Sequence, residues 1–135
     1  MIHPAYFETR FRVDSLPSEW PPRFAILSAW ATTGQIWTTE ANDAADRRLS
    51  ARLAAAGLWH WRLTGYSPTT AHAEPSWACG LDWDEACDWG QAFRQDAIYY
   101  VSGDNLSVSH CDDRRRLLPV GRFRQRLDWD LTPFL

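Results

Sequence analysis

Four polar residues stand where apolar residues are expected. Ser28 interrupts the apolar run "FAILSAW", Glu74 precedes the strand-like "SWACGL", and Gln95 with Asp96 breaks "FRQDAIYYVSG" between a helical and a strand pattern. A carboxylate in such a setting can serve as a general acid or base when burial brings its pKa near the operating pH. The same groups can instead bond one another, or the orphan backbone groups at element ends. A buried polar group without a partner costs about 1–3 kcal/mol. From physical chemistry alone the structural network is favoured over a pocket.

Other chemistries are poorly supported. "HAE" at His72–Glu74 matches the H-x-E of zinc deaminases, but those enzymes also need a P-C-x-x-C element. Cys79 and Cys87 are eight residues apart, and Cys111 leaves the cysteine count odd. We expect no metal site, no cofactor and no disulfide framework. No G-x-S-x-G elbow marks a nucleophilic serine. All 14 basic residues are arginine, so Schiff-base lysine chemistry and a Walker-type phosphate loop are excluded for this sequence. A coding sequence rich in G and C explains the arginine bias more simply than selection for guanidinium chemistry.

The arginines cluster late. His110 to Arg126 carries Arg114, Arg115, Arg116, Arg122, Arg124 and Arg126 against two aspartates, a net +4, and leaves −7 on the remainder. Read as an alternating strand, "RFRQR" puts its arginines on one face and Phe123 on the other, and an aromatic among arginines can stack on a base. Against nucleic acid stands the acidic whole, with pI near 5.7. Pairing with acidic groups of the fold or of a protein partner is the plainer expectation, and self-association is compatible with it. Nine tryptophans add either core or contact surface.

The positioning elements follow from periodicity. "YFETRFRV" alternates as a strand, and "SLPSEWPPR" is a loop with three prolines. Phe24–Trp30 reads as a central strand. A helix begins near Thr39, its N-cap, carries Ala45, Leu49, Leu53 and Ala56 on one face and stops at Gly57. "LWHWRLTG" alternates as a strand with one wet side, "YSPTTAHAEP" is a loop and "SWACGL" a short strand. Asp82 and Glu85 form a capping-box pattern for a second helix, on which Ala86, Trp89, Gly90, Phe93 and Ala97 share a face. "AIYYV" and "LSVSHC" make a hairpin across "SGDN".

The order β-β-α-β-β-α-β-β contains, from 24 to 102, a ferredoxin-like split βαβ arrangement. We expect an α+β fold, a mostly antiparallel sheet with two helices packed on one face and extra edge strands. Residues 1–110 would form the domain, and 111–135 an arginine-rich extension ending in a loosely attached tail. The chain has no membrane-length apolar run, and its start has no secretory pattern. A cytoplasmic protein is expected.

From about Phe24 to Val108 the chain resembles bacterial domain-of-unknown-function family 3293. A strand similar to "ILSAW" leads to an E-x-N element, Glu40-Ala41-Asn42. A Gly-containing strand ends at Gly65, an E-P-S element is Glu74-Pro75-Ser76, and an F-G-Q-N-A stretch looks like Phe93-Arg94-Gln95-Asp96-Ala97. Where the family has Thr and W-N-P, this chain has Ser28 and Trp30-Ala31-Thr32. The motif's Gly and Asn are replaced by Arg94 and Asp96. Losing the Gly bears on a backbone turn with φ > 0; the Asn-to-Asp change trades an amide donor for a charge.

The resemblance implies no activity, but it adds Asn42 and Ser76 to Ser28, Glu74, Gln95 and Asp96 as a candidate polar site. Three functions are carried forward. The first is a non-catalytic binding or interaction module. The second is a small hydrolase or transferase using Glu74 as acid or base, with Gln95 and Asn42 orienting substrate. The third is a nucleic-acid-associated factor acting through the C-terminal arginines.

Overall fold

The structure is a computed structural model that describes residues 2–32, 35–70 and 72–129. A short 3-10 helix (Pro4–Phe7) precedes β1 (Arg10–Val13) and β2 (Arg23–Leu27). Then come α1 (Thr39–Ala55), β3 (His60–Tyr66), β4 (Ala73–Cys79), α2 (Trp83–Ala92), β5 (Ala97–Ser102) and β6 (Asn105–His110). β7 (Leu118–Arg122), a 3-10 turn (Arg124–Arg126) and β8 (Leu127–Trp129) complete it. The fold is α+β.

Local chemistry sets the helix ends. Thr38, one residue before the expected Thr39, caps α1 by accepting from the Ala41 N–H at 3.1 Å. Asp82 caps α2 by accepting from the Glu85 N–H at 2.8 Å, as the sequence pattern predicts. Pro4, with His3 accepting from the Ala5 N–H, starts a 3-10 turn where alternation alone suggests a strand. β1 is therefore only the second half of "YFETRFRV". β4 begins at Ala73, so Glu74 lies inside the strand and not in the loop before it.

The strands form one mixed sheet in the order β7-β6-β5-β2-β4-β3-β1-β8. Its centre, β5-β2-β4-β3, is the order of a split βαβ unit. Every neighbouring pair is antiparallel except β1 with β8. β7 and β8 occupy opposite edges, yet only residues 123–126 separate them. Laid flat, seven strand spacings of about 4.8 Å would put those edges roughly 34 Å apart. The connection reaches at most about 17 Å even fully extended. The sheet must therefore curl until its edges nearly meet, and the contacts agree. Phe123 lies 6.0 Å from Phe11 of β1, ring to ring, and the Arg126 guanidinium donates to the carbonyls of Phe7, Thr9 and Val120.

Two hydrophobic clusters follow from the pleat. Phe11, Phe24, Ile26, Leu63, Ala78, Tyr99, Val101, Leu106 and Phe123 belong to one, which includes no helix residue. The alternate positions Ala25, Leu27, Cys79, Ile98 and Tyr100 join Leu49 and Leu53 of α1 and Ala86 and Cys87 of α2 in the other. Trp20, Phe24, Trp59 and Phe123 close one end of the first cluster through mutual ring contacts of 5.1–6.0 Å.

The C-terminal region departs from expectation. Leu127–Trp129, read from sequence as the start of a loose tail, pairs with β1 through Phe11↔Leu127 and Arg12↔Asp128. Arg10 holds Asp128 bidentately at 2.8 and 2.9 Å, and Tyr66 also donates to that carboxylate. Residues 130–135, the rest of that expected tail, lie outside the described residues. "RFRQR" is a 3-10 turn rather than an alternating strand, and Phe123 is enclosed in the core. Ala97 belongs to β5 and not to the face of α2.

Gly90 carries the close approach of α2 that its position suggests. A Cβ there would meet Cys111 Sγ at 2.5 Å and Ile98 Cγ2 at 2.9 Å. Gly90→Ala is expected to lower stability by about 1–3 kcal/mol in urea unfolding, through overpacking, although alanine favours a helix by about 1 kcal/mol. An unchanged or raised midpoint would show that α2 can move away without cost.

Candidate functional site

β2 ends at Leu27, and residues 28–32 continue without ladder partners. Their backbone groups must be bonded by something else. Ser28 Oγ accepts from the Trp30 N–H at 3.2 Å, and Asn42 Oδ1, one turn into α1, accepts from the Ala31 N–H at 2.9 Å. Gln95 Nε2 donates to the carbonyls of Trp30 at 2.7 Å and Phe93 at 3.1 Å. The Thr32 hydroxyl donates to Asp96 Oδ2 at 3.1 Å and accepts from the Asp96 N–H at 3.3 Å. Four of the six candidate residues thus hold the 28–32 segment, Ser28, Asn42 and Gln95 through its backbone and Asp96 through the Thr32 hydroxyl.

Gln95 owes its place to the end of α2. The Gln95 N–H bonds the Gly90 carbonyl at 2.8 Å and the Arg94 N–H bonds Gln91 at 3.0 Å, the paired bonds of a Schellman ending. That ending needs a left-handed residue, and Arg94 takes it at φ 58°. The turn that the F-G-Q-N-A glycine would supply is kept here by an arginine, at a conformational cost.

The remaining two residues face the uncovered end of the sheet's first hydrophobic cluster, opposite the Trp20–Phe24–Trp59–Phe123 plug. A pocket of ≈ 390 Å³ opens there, lined by strand positions of β1, β2, β3, β4 and β5. Phe11, Ile26, Ala97 and Tyr99 give it an apolar and aromatic wall; Ser28, Glu74, Ser76 and Gln95 reach it, whereas Asn42 and Asp96 do not. Gly65 pairs directly with Glu74 and with Phe11 and lines the same pocket, and a Cβ there would touch Thr9 Cγ2 at 3.6 Å and Phe11 Cε1 at 3.7 Å without clashing. Strand alternation flags Tyr99 and Gly65 only once the curl is known, because nothing in β3 or β5 alone says which face is concave.

Among the described residues, the Glu74 carboxylate meets no backbone group of 28–32. Its side chain is 29% exposed, and its ionisable neighbour is His72, 3.8 Å away and 68% exposed. Burial pushes the Glu74 carboxyl above its ordinary value, and His72 opposes the shift. The Ser76 hydroxyl donates to the Glu74 carbonyl at 3.3 Å, not to the carboxylate. Neutral, Glu74 donates a proton; ionised, it accepts hydrogen bonds or holds a cation. The described residues include no group of three or more His, Cys, Asp or Glu placed to hold a metal ion. No helix among them is long and apolar enough to cross a membrane.

The arginine cluster lies elsewhere and is partly engaged. Arg114 pairs with Asp112 at 2.7 Å, and Arg115 with Asp88 at 2.7 Å and Asp84 at 3.3 Å. Arg114 holds the Asp112 carboxyl down at about 2. Arg126 bonds the three carbonyls named above, and the backbone N–H groups of Arg116 and Arg124 bond Ser109 and Asp104. Arg122 is exposed. A more open groove of ≈ 480 Å³ is lined by Ala29, Trp37, Ala45 and Phe93, with Arg48 and Arg94 as its charged groups and no carboxylate.

A family model described as "Protein of unknown function (DUF3293)" matches residues 27–98. That span contains all six candidate polar residues and none of the C-terminal arginines. No curated protein and no solved structure matches the chain.

Two outcomes test this division of roles. A carboxyl whose folded pKa is raised stabilises the fold fully below its ordinary value and loses that contribution as pH rises through the folded value. Stability of wild type relative to Glu74→Gln should therefore be flat below pH 4.5 and fall above it, with the variant at least as stable at pH 7. A loss of more than about 1 kcal/mol in the variant at pH 7 would make Glu74 a structural residue. Arg94→Gly should raise stability by about 0.5–1 kcal/mol, relief of the left-handed backbone outweighing the added chain entropy; a drop in melting temperature would contradict the strain.

Proposed function

We propose that this chain, which belongs to the DUF3293 family of proteins of unknown function, is a small non-catalytic binding module whose ligand is a small organic molecule held in the Glu74 pocket. The reading takes the sheet as largely antiparallel, with both helices covering one face and the ligand site at the open end of the other. One observation carries it. The pocket of ≈ 390 Å³ joins an apolar, aromatic wall to a carboxylate whose ionisable neighbour is the exposed His72. Ligand pockets typically run from about 300 to 1,000 Å³, are mainly apolar and carry a few placed polar groups. Mouths of curled or closed sheets are among their usual locations.

A network residue and a ligand residue have different signatures. Ser28, Asn42, Gln95 and Asp96 bond backbone or Thr32 and shape the pocket's edge. Glu74 has no such task. Acid–base catalysis at Glu74 is the second reading, favoured by its raised pKa but lacking the orienting Asn42, whose amide carbonyl serves Ala31. Binding of nucleic acid by the C-terminal arginines has less support, because Arg114, Arg115 and Arg126 already hold carboxylates or carbonyls and Phe123 is buried.

The test is a thermal-shift screen of several hundred small cationic, neutral and anionic organic compounds on the wild type and on Gly65→Leu. The new side chain projects from a pocket-lining position paired with Glu74 and takes up ligand space. Compounds that raise the wild-type melting temperature by about 2 °C and leave Gly65→Leu unmoved are expected. A screen in which no compound distinguishes the two proteins refutes the reading. A hit recovered chemically altered would replace it with catalysis.

A further inference from the structure

The hydrogen-bonding groups of the pocket are unequally engaged. Its inner donors are committed to protein. Tyr66 donates to Asp128, Tyr99 to the Tyr6 carbonyl at 2.6 Å, Thr9 to the Ala5 carbonyl at 3.1 Å and Thr32 to Asp96. The Gln95 amide uses both N–H groups on Trp30 and Phe93, and Ser76 donates to the Glu74 backbone. The Ser28 hydroxyl, which accepts from the Trp30 N–H, is the exception and can donate or accept; the other two groups that remain inside accept. Gln95 Oε1 has no partner among the described residues, and the Glu74 carboxylate has only the rim histidine His72. The chain has 14 arginines, yet none lines this pocket. Arg10 is held by Asp128 and Arg126 by three carbonyls.

An anionic ligand would meet a carboxylate and an amide oxygen with no guanidinium to offset them, and a ligand rich in acceptors would leave both oxygens unpaired. A cationic donor reverses both penalties. It gives Glu74 a charge-assisted hydrogen bond, and the aromatic rings of Tyr6, Phe11, Tyr66 and Tyr99 suit a cation as well as an apolar body. We infer that the Glu74 pocket takes a small organic cation, an ammonium or amidinium carried on an apolar or aromatic body, with Glu74 as its counter-ion and Gln95 Oε1 as a second acceptor. The inference rests on the pocket being the ligand site proposed above. Glu74 is a binding residue in it, and no covalent step is involved.

The experiment compares three probes of one shape by titration calorimetry at pH 8. Phenethylammonium carries the cation, 2-phenylethanol is neutral and phenylacetate is anionic. On the wild type, phenethylammonium should bind with a Kd on the order of 1 mM or tighter. It should bind at least about tenfold more tightly than either of the others. Glu74→Gln, expected to stay folded, should erase that preference, and Gly65→Leu should weaken the probes that bind. Equal affinity for the three probes overturns the cation assignment and leaves the ligand site standing. Phenethylammonium binding that Glu74→Gln does not weaken overturns it as well. Silence from all three up to about 10 mM also overturns it; the ligand-site reading then falls only if the broader screen fails too.

Discussion

Four residues, 123–126, join the two outermost strands of an eight-stranded sheet, and that short link governs the rest of the structure. A flat sheet cannot satisfy it. Once the sheet curls, alternate residues of every strand acquire different surroundings. One set converges with Phe11, Phe24, Tyr99 and Phe123, and the other meets α1 and α2. The curl also creates two ends. Trp20, Phe24, Trp59 and Phe123 fill one with aromatic contacts, and the other remains a pocket. Arg10 with Asp128, and Arg126 with the carbonyls of β1's approach and of β7, hold the edges where the link requires them to be.

At the open end the chain leaves β2 and loses its ladder. The polar residues that look out of place in the sequence answer this need: the Trp30 and Ala31 N–H groups, the Trp30 carbonyl and the Thr32 hydroxyl meet Ser28, Asn42, Gln95 and Asp96, while the Thr32 carbonyl accepts from the Gln35 N–H. Placing Gln95 requires α2 to stop abruptly, and the left-handed Arg94 makes the stop. Arg94 itself lies away from the Glu74 pocket and lines the separate groove beside Trp37 and Phe93. Glu74 has a different energetic character from Ser28, Asn42, Gln95 and Asp96. It is partly desolvated, with His72 as the neighbour that opposes the effect of burial, so ionising it works against stability.

Much of this was legible one element at a time. The alternation of "LWHWRLTG", the helical faces of Ala45, Leu49 and Leu53, the Asp82–Glu85 cap and the hairpin across "SGDN" each depend on neighbours within a few residues, and each is found. Misreadings arose where a local signal competes with another. Pro4 and His3 override the alternation after Tyr6 by starting a 3-10 turn. Leu127–Trp129 lacks the length to announce a strand and forms one only because β1 offers an open edge. "RFRQR" alternates in type, but its arginines are drawn to Asp104 and to distant carbonyls, which a turn reaches and a strand would not.

By itself the sequence determined the two helices, the central strands, their split βαβ order and the six polar positions worth watching, because periodicity, capping and motif spacing are properties of adjacent residues. It also ruled out lysine chemistry outright. Only the tertiary structure decided which of those polar residues bond the 28–32 segment and which line a pocket. That separation depends on contacts such as Gln95 with Trp30 and Asn42 with Ala31, and on the pairing of Glu74 with Gly65. Each joins residues brought together by strand order and curl, and those are set by the closure of the whole sheet and not by any local stretch of it.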